Sequence, residues 1–447
     1  MTTQSTADSA SSEVTPGQSA PPVRRRARII GLDGVRGLLC LSIAITHVTG
    51  YYSKHTAAEW KTNVFGFSLV YFFVLSGFLL FLPHVRSVVG ARSSAHMPNV
   101  RDYAVHRFAR IMPCYLVIFL IVNFVLRLSY TQNASTVPDD ARTGIGVITE
   151  PWKLLANLTL LQTYFPKYLE TGIGPSWSLT LEYAFYLSLP LLGLALFALR
   201  RRSTRNPFVV AMLPPAILLI IGLAGRALIP LANRYAGTTD FILLNWGPNI
   251  AAVLTKSFLA NADNFAMGML AAIVFVAIEH GALPERISRR VRMVSAAAIL
   301  PILVVSALFF AIGPQFVTAG VGAVAALMIL VVVVPLARGH KSKLATFLDV
   351  RPIRYVGEIS LSAYLWHFPM LVLLGQLGLM AGDTLPGMLR NIALLLTVTI
   401  LAATLTYFGV EKPSMSYAKR LRAKPTASPS DPKPAEGKSV KGQASAS

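Results

Sequence analysis

Charged residues are scarce in this chain of 447 residues: they make up 14% of it, against about 25% in an average soluble domain. Hydrophobic residues account for 54%, and the mean hydropathy is +0.56. The shortage of charge argues against a soluble enzyme, a disordered scaffold and a coiled coil. It favours one polytopic membrane domain over the two or three soluble domains that the length would otherwise suggest.

Cysteine is also rare, with two residues in the whole chain. Cys40 and Cys114 each lie inside an apolar segment. Two cysteines cannot build a disulfide framework or a cysteine-rich zinc site. We therefore expect both to pack as small apolar side chains, and we predict no metal site.

Acidic residues are outnumbered, with 20 Asp and Glu against 41 Lys and Arg, for a net charge of +21. Such a balance could indicate a nucleic-acid partner. Here, however, the basic residues form short clusters between apolar runs, which is typical of the cytoplasmic loops of membrane proteins. The sequence therefore predicts no nucleic-acid partner.

The long apolar runs predict an all-α, polytopic membrane bundle of about ten transmembrane helices. The predicted spans are 31–52, 64–83, 111–130, 178–199, 208–230, 262–279, 293–312, 316–337, 357–379 and 388–410. The stretch 152–165 is too short to span comfortably, so we interpret it as an interfacial or re-entrant helix. The membrane domain occupies 29–413, between tails at 1–28 and 414–447 whose composition predicts disorder.

Every second loop between the predicted spans is basic. The basic segments are 24–28, 86–110, 200–205, 286–292, 341–354 and 419–422, and the intervening loops lack such clusters. Positive charge is retained on the cytoplasmic side of a membrane. The pattern predicts a multi-pass protein of the cell (cytoplasmic) membrane with both termini in the cytoplasm.

The first span carries four chemically notable residues on one helical stripe: Asp33, Arg36, Cys40 and His47. Arg36 and His47 are close to three turns apart, about 16 Å along the helix axis. Arg36 is expected at the cytoplasmic rim, where it could simply extend its charge to water. His47 lies deeper, and a membrane-embedded histidine favours a functional role over a structural hydrogen bond.

Polar stripes also follow the fourth and ninth spans. Ser178, Glu182 and Tyr186 share one face of the fourth span. Glu182 needs a cation or a histidine from another helix, or must be protonated. It could equally belong to a structural ion pair. Tyr364 and His367 lie on one face of the ninth span, where His367 could be a functional group or a hydrogen-bonded core histidine.

Two arginines precede the third predicted span with helical spacing, Arg107 and Arg110. Ordinary positive-inside charge explains them. Alternatively, they form a cationic clamp, because paired guanidinium groups suit the geometry of phosphate.

In this order, these segments resemble acyltransferase family 3, which consists of multi-pass membrane acyltransferases. The resemblance covers roughly 29–413 and includes the Arg and His of the first span, Arg36 and His47. It also includes YFFVLSGFLL, RFARIMPCY, WSLTLEYAFY, SAYLWHFP and VEKP. Some members carry a hydrolase-like domain after the last span, and this chain looks like the stand-alone form.

The resemblance implies that the protein transfers an acyl group, often acetyl, to a hydroxyl of a sugar or other acceptor. It implies acyl-CoA as a co-substrate that arrives from the cytoplasm, with no permanently bound cofactor, and His47 as the central catalytic residue. Family members act on polysaccharides, glycolipids, peptidoglycan and macrolide-type metabolites, so the acceptor is not predicted. Arg36, Arg107 and Arg110 are the expected donor-binding residues.

As a hypothesis, His47 deprotonates the acceptor hydroxyl, which attacks the acyl thioester. Glu182 is expected to orient His47 or stabilise its imidazolium. Asp33, Ser178, Tyr186, Tyr364 and His367 are expected to support the site. A covalent acyl-histidine intermediate is the alternative route, and the sequence does not choose between the two.

Two other classes of function remain open. A transporter or flippase could use the buried His and Glu as a proton relay, although no repeat symmetry is visible in the sequence. A non-catalytic membrane partner or sensor would need neither group for chemistry.

Overall fold

The computed structural model describes residues 28–90, 95–137 and 144–423. Nearly all of its regular structure is helical. The exception is a small antiparallel hairpin of β1 (Ser129–Tyr130) and β2 (Ile145–Gly146), in which Ser129 lies opposite Gly146. The disorder predicted for 1–27 and 424–447 falls outside the described residues.

Ten long helices form the body of the protein. They are α1 (Leu32–Tyr52), α3 (Ser68–Val89), α4 (Val100–Leu120), α6 (Trp177–Arg202), α8 (Leu213–Asn233), α11 (Ala262–Glu279), α12 (Glu285–Ile312), α13 (Val317–Ala337), α16 (Ser360–Gln376) and α17 (Leu385–Thr406).

Shorter helices connect or extend these long ones. They are α2 (Lys54–Glu59), α5 (Pro151–Leu158), α7 (Pro207–Ala211), α9 (Phe241–Trp246), α10 (Ile250–Thr255), α14 (Lys343–Leu348), α15 (Arg351–Glu358) and α18 (Lys412–Ala423). Single turns of π-helix occupy Ile121–Val125 and Tyr407–Glu411.

The predicted polytopic helical fold is confirmed. Across 28–90, 95–137 and 144–423, nine helices are long and apolar enough to cross a membrane. A tenth span results if α15 and α16 count as one, bent by 74° at Ile359. The ninth predicted span, 357–379, is therefore a broken helix, and its hydropathy gave no sign of the bend.

Several predicted boundaries were wrong. The third span begins at Val100 rather than 111, because Asn99 caps the helix by accepting from the backbone N–H of Asp102. This helix ends well before 130, where the chain enters the hairpin. The tail predicted from 414 is helical as far as Ala423. Of the interfacial stretch 152–165, only the part within α5 is α-helical.

Glycines allow helix backbones to approach closely at the two contacts that frame the site. A Cβ on Gly268 of α11 would lie 1.8 Å from the carbonyl oxygen of Val74 on α3. Likewise, a Cβ on Gly357 of α15 would lie 1.8 Å from the carbonyl oxygen of Asp33 on α1. Such contacts drive helix association where no hydrophobic effect is available. The Gly268 contact holds α11 against α3, and the Gly357 contact holds α15 against α1.

Candidate active site

Two histidines from distant parts of the chain meet in the helical bundle. His47 on α1 and His367 on α16 are joined by a 2.8 Å hydrogen bond between His47 Nδ1 and His367 Nε2. Their rings stack with centroids 5.0 Å apart. His367 is buried, with 1% of its surface exposed, whereas His47 is half-buried.

The surrounding hydrogen bonds determine which nitrogens carry protons. A backbone carbonyl can only accept, so His367 Nδ1, which faces the carbonyl of Tyr364, must donate. In the neutral ring, His367 Nε2 then accepts from His47 Nδ1. The other nitrogen of His47, Nε2, consequently bears a lone pair. A membrane-embedded histidine is thus held in the tautomer that can act as a base.

Glu182 does not contact His47, contrary to the role expected from the sequence. Its carboxylate accepts hydrogen bonds from Ser76 Oγ at 3.1 Å and from Tyr186 Oη at 2.9 Å. The i, i+4 spacing correctly predicted that Glu182 and Tyr186 share a face, but a helical stripe does not specify which other helix faces it. The partner of His47 is instead His367, which the sequence suggested only as a supporting residue.

A cavity of about 170 Å³ lies beside the histidine pair. Its charged lining consists of the three predicted donor-binding arginines together with Glu182: Arg36, Arg107, Arg110 and Glu182. Ser76, Ser178, Tyr186, Ser360 and Tyr364 add hydroxyl groups, and the remaining lining is apolar and comes from α3, α4, α6 and α16. The lining therefore carries a formal excess of positive charge and suits an anionic ligand with an apolar portion.

The arginines of the cavity are held in different ways. Arg36 Nη1 lies 3.3 Å from Asp33, which also pairs with Arg28 at 2.6 Å. Asp33 therefore positions Arg36. Arg107 packs over the rings of Tyr103 and Tyr186, at 6.0 and 5.8 Å, and its buried Nε has no hydrogen-bond partner in the described chain. An unpartnered guanidinium donor beside a cavity indicates a site for an anion.

The end of the cavity nearest the histidines is closed by Ser178 and Tyr364. Their hydroxyl oxygens are 2.7 Å apart, and the Tyr364 hydroxyl also donates to the carbonyl of Pro175. Tyr364 precedes His367 by one helical turn, but neither histidine lines the cavity. The cavity therefore stops short of His47 and His367.

Several buried charges were not anticipated from the sequence. Arg226 on α8 forms a buried bidentate ion pair with Asp263 on α11, at 2.8 and 3.0 Å. Glu411 is 2% exposed and accepts from Ser362 at 2.7 Å. Arg226 lies inside a predicted span, and an arginine there indicates a buried partner, because an isolated charge within the membrane is costly. Glu411 lay just beyond a predicted span and gave no comparable signal.

The two cysteines are free and buried. Cys40 lies 3.4 Å from the carbonyl oxygen of Ser360, and Cys114 lies 3.3 Å from Ser362 Oγ. Across the three described ranges, no group of three or more His, Cys, Asp and Glu side chains is arranged to hold a metal ion.

Comparison with known proteins gives a family and several relatives. The model of a family described as "Acyltransferase domain" matches residues 29–408. Over 390 residues, the chain is 24% identical to "O-acetyltransferase OatA" of Staphylococcus aureus (strain NCTC 8325 / PS 47), covering 86% of this chain and 56% of the relative.

Two further relatives share a similar level of sequence identity with the chain. One is "Putative peptidoglycan O-acetyltransferase YrhL" of Bacillus subtilis (strain 168), 25% identical over 86% of this chain and 54% of the relative. The other is "Peptidoglycan O-acetyltransferase OatA" of Listeria monocytogenes serovar 1/2a, 22% identical over 87% of this chain and 56% of the relative. The chain thus spans about half the length of these curated relatives. No solved structure is significantly similar to it.

Proposed function

The chain belongs to this acyltransferase family, and on that basis we propose that it is a membrane O-acyltransferase. The proposed reaction moves a short acyl group, acetyl in the first instance, from acyl-CoA to a hydroxyl of a glycan. The names of its relatives, which are O-acetyltransferases and in two cases peptidoglycan O-acetyltransferases, support the reaction and suggest peptidoglycan as the acceptor to test first.

One observation carries the proposal: a cavity with three arginines ends one helical turn before a histidine whose Nε2 is free to accept a proton. A thioester donor with a phosphate-bearing end needs cations at one end of its site. It also needs a base near the acyl carbon, to activate the attacking hydroxyl. Along α1 and α16, the cavity provides the cations and the histidine pair, further along each helix, provides the base.

The arginines are the proposed phosphate-binding groups. The buried Nε–H of Arg107 has no hydrogen-bond partner among the described residues and is available to a phosphate, and Asp33 holds Arg36 in place at the same cavity. Glu182 keeps two hydroxyl groups of the lining in place, Ser76 and Tyr186, and offsets part of the positive charge. We assign it this positioning role rather than the orientation of His47.

In the proposed step, His47 Nε2 accepts the proton of the acceptor hydroxyl while the oxygen of that hydroxyl attacks the acyl carbon. The new C–O bond forms, the C–S bond breaks, and the sulfur of CoA leaves as a thiolate that takes up the proton from His47. His367 keeps the attacking base in the correct tautomer through its bond to His47 Nδ1. The thioester can reach His47 only when the Ser178–Tyr364 hydrogen bond opens, so we propose that the pantetheine arm displaces it.

Binding of CoA to the purified protein tests the donor site. Arg107→Gln and Arg110→Gln should each weaken CoA binding by about 10- to 100-fold, because each removes a charge-assisted hydrogen bond worth roughly 1.5–3 kcal/mol. Arg290→Gln is the matched control, since Arg290 is exposed and outside the cavity. Equal CoA affinity in all three variants would contradict the donor site.

Mass spectrometry of cell-envelope glycans tests the reaction and the acceptor together. The intact strain should carry acyl groups that a deletion strain lacks, and restoring His47→Ala should not return them although the variant reaches the membrane at normal abundance. Full restoration by His47→Ala would refute the role of His47. Coupled transport by the purified protein without consumption of acyl-CoA would instead support a transporter.

A further inference from the structure

A buried carboxylate precedes α6 in the loop that leads to the active site. Glu170 is 6% exposed, and its Oε1 has no hydrogen-bond partner among the described residues. Its backbone has φ +58°, a left-handed conformation that a residue with a side chain seldom adopts. The fold thus holds an acid in a strained backbone conformation, with one carboxylate oxygen that no described residue satisfies, a combination that is typical of functional sites.

Glu170 lies close to the histidine pair. An ideal Cβ on Gly174 would be 3.4 Å from Glu170 Oε2 and 3.2 Å from Phe368 Cε1, so the carboxylate and this ring flank Gly174. The ring of Phe368 in turn packs edge-on against His47, with centroids 5.2 Å apart. Only glycine at 174 leaves Glu170 and Phe368 this close together.

The carboxylate lies close to Phe368, the residue that follows His367 on α16. Along α16, Tyr364 lines the cavity, and His367 and Phe368 follow one turn later. Along α6, the cavity residues begin at Ser178, whereas Glu170 precedes the helix. Glu170 does not line the cavity. Glu170 therefore lies outside the proposed donor cavity and next to the histidine pair.

A buried lysine, Lys256, acts electrostatically on Glu170, but its ammonium group binds other residues. Lys256 is 2% exposed; its Nζ donates to the carbonyl of Asn245 at 2.7 Å and lies 3.0 Å from the centroid of the Trp246 ring. In the described chain it makes no ion pair within 4.0 Å with Glu170. Burial raises the pKa of Glu170 to about 7, although the charge of Lys256 opposes the rise.

Three further oxygen atoms of this region are buried without a hydrogen-bond partner in the part of the chain that the structure describes: Ser129 Oγ, Asn157 Oδ1 and Gln162 Oε1. Asn157 Oδ1 would be 2.2 Å from a Cβ on Gly172, and the amide of Gln162 donates to Ser176 at 2.9 Å, so both border the loop of Glu170. Amide and carboxylate oxygens only accept hydrogen bonds. A ligand that satisfies them must bring several donors, as a polyhydroxylated molecule does.

We propose that Glu170 is a substrate-binding residue for the hydroxyl-bearing acceptor, next to the histidine pair and outside the donor cavity. Its Oε1 accepts a hydrogen bond from a hydroxyl next to the one that is acylated, which orients the reacting oxygen toward His47. This inference rests on the proposed acyl transfer. Because the unpartnered oxygens are buried, the loop that contains Glu170 must open to admit the acceptor.

Steady-state kinetics with acetyl-CoA and soluble peptidoglycan fragments test the role of Glu170. At a pH above the Glu170 pKa of about 7, where the carboxylate is charged, Glu170→Gln should raise the KM for the fragments roughly tenfold or more, because a hydrogen bond to a charged acceptor is replaced by a weaker one. The KM for acetyl-CoA should not change. Glu150→Gln is the matched control, since Glu150 is a nearby acid that pairs with Lys153 and Lys167.

The possible results separate this inference from the proposed function. If the wild-type protein transfers no acetyl group, the proposed function fails. If the wild-type protein does transfer acetyl, two results would contradict only the acceptor site. One is a KM for the fragments that is the same in Glu170→Gln and Glu150→Gln, and the other is a raised KM for acetyl-CoA in Glu170→Gln. Hydrogen exchange on the wild-type protein avoids any folding defect of the variant: saturating fragments should slow exchange in 157–176, and unchanged exchange there would overturn the proposal.

Discussion

At the scale of single residues, the relation between the two histidines depends on hydrogen-bond direction. The Tyr364 carbonyl fixes His367, and His367 fixes His47, so one backbone oxygen determines which nitrogen of His47 is basic. The unpartnered Nε of Arg107 and the unpartnered Oε1 of Glu170 complete the set of groups that are ready to bind a ligand. Arg107 lines the arginine cavity, and Glu170 lies beside Phe368, which packs against His47.

Substitutions at His367 should reveal its positioning role. His367→Leu should lower kcat about 10²- to 10⁴-fold, because His47 loses the acceptor that fixes its tautomer. His367→Gln should retain more activity, since its amide oxygen can accept from His47 Nδ1. The KM for acetyl-CoA should stay close to the wild-type value in both variants. Equal kcat for the Leu and Gln variants would mean that His367 serves only to fill space.

At the scale of helices, close backbone contacts determine where the functional side chains lie. Gly77 of α3 and Gly268 of α11 each face the backbone of the other helix, at 2.1 and 1.8 Å from an ideal Cβ. α3 also carries Ser76, which binds Glu182 and lines the cavity. Packing between these helices therefore sets one wall of the cavity.

Gly268→Ala tests this helix contact. The added methyl group would collide with the Val74 carbonyl, so the two helices must separate, at a cost of about 1–3 kcal/mol. We expect a lower thermal unfolding midpoint in detergent. Gly50→Ala is the control, because a Cβ on this glycine of α1 meets nothing within 4 Å. A midpoint in Gly268→Ala that matches this control would show that the contact tolerates a side chain.

At the scale of the whole molecule, the arrangement across the membrane is the main prediction. The alternation of basic loops predicts cytoplasmic termini, which places the arginine cavity toward the cytoplasm and Glu170 toward the outer side. A donor from inside and an acceptor from outside would then reach the histidine pair from opposite directions. Under the proposed function, such an arrangement would let the protein use a cytoplasmic acyl donor to modify a glycan outside.

Labelling of single cysteines tests the orientation. After replacement of Cys40 and Cys114 with Ala, Tyr235→Cys should react with a membrane-impermeant maleimide in intact cells, because Tyr235 is exposed in a loop predicted to lie outside. Lys419→Cys, exposed on α18, should react only after permeabilisation. The reverse pattern would invert the orientation and, with it, the assignment of the donor and acceptor sides.

The family resemblance read from the sequence is confirmed by the match to 29–408, as is the helical membrane fold. Hydropathy and charge were sufficient to predict the helical membrane fold, because each span must satisfy its own backbone hydrogen bonds within lipid and so has a recognisable length and composition. Helical spacing also predicted that Ser178, Glu182 and Tyr186 share a face, and all three line the cavity. The sequence by itself therefore determined the class of fold, the approximate number of spans and the residues on each polar stripe.

Only the tertiary structure decided which stripes face each other. His47 and His367 are 320 positions apart, and helical periodicity gives the direction of a side chain relative to its own helix but not relative to another. For that reason Glu182 was paired with the wrong partner, and the Arg226–Asp263 pair was missed. Glu170 lies in a loop without periodicity, and its importance comes from burial and backbone conformation, which are fixed only when the helices pack around it.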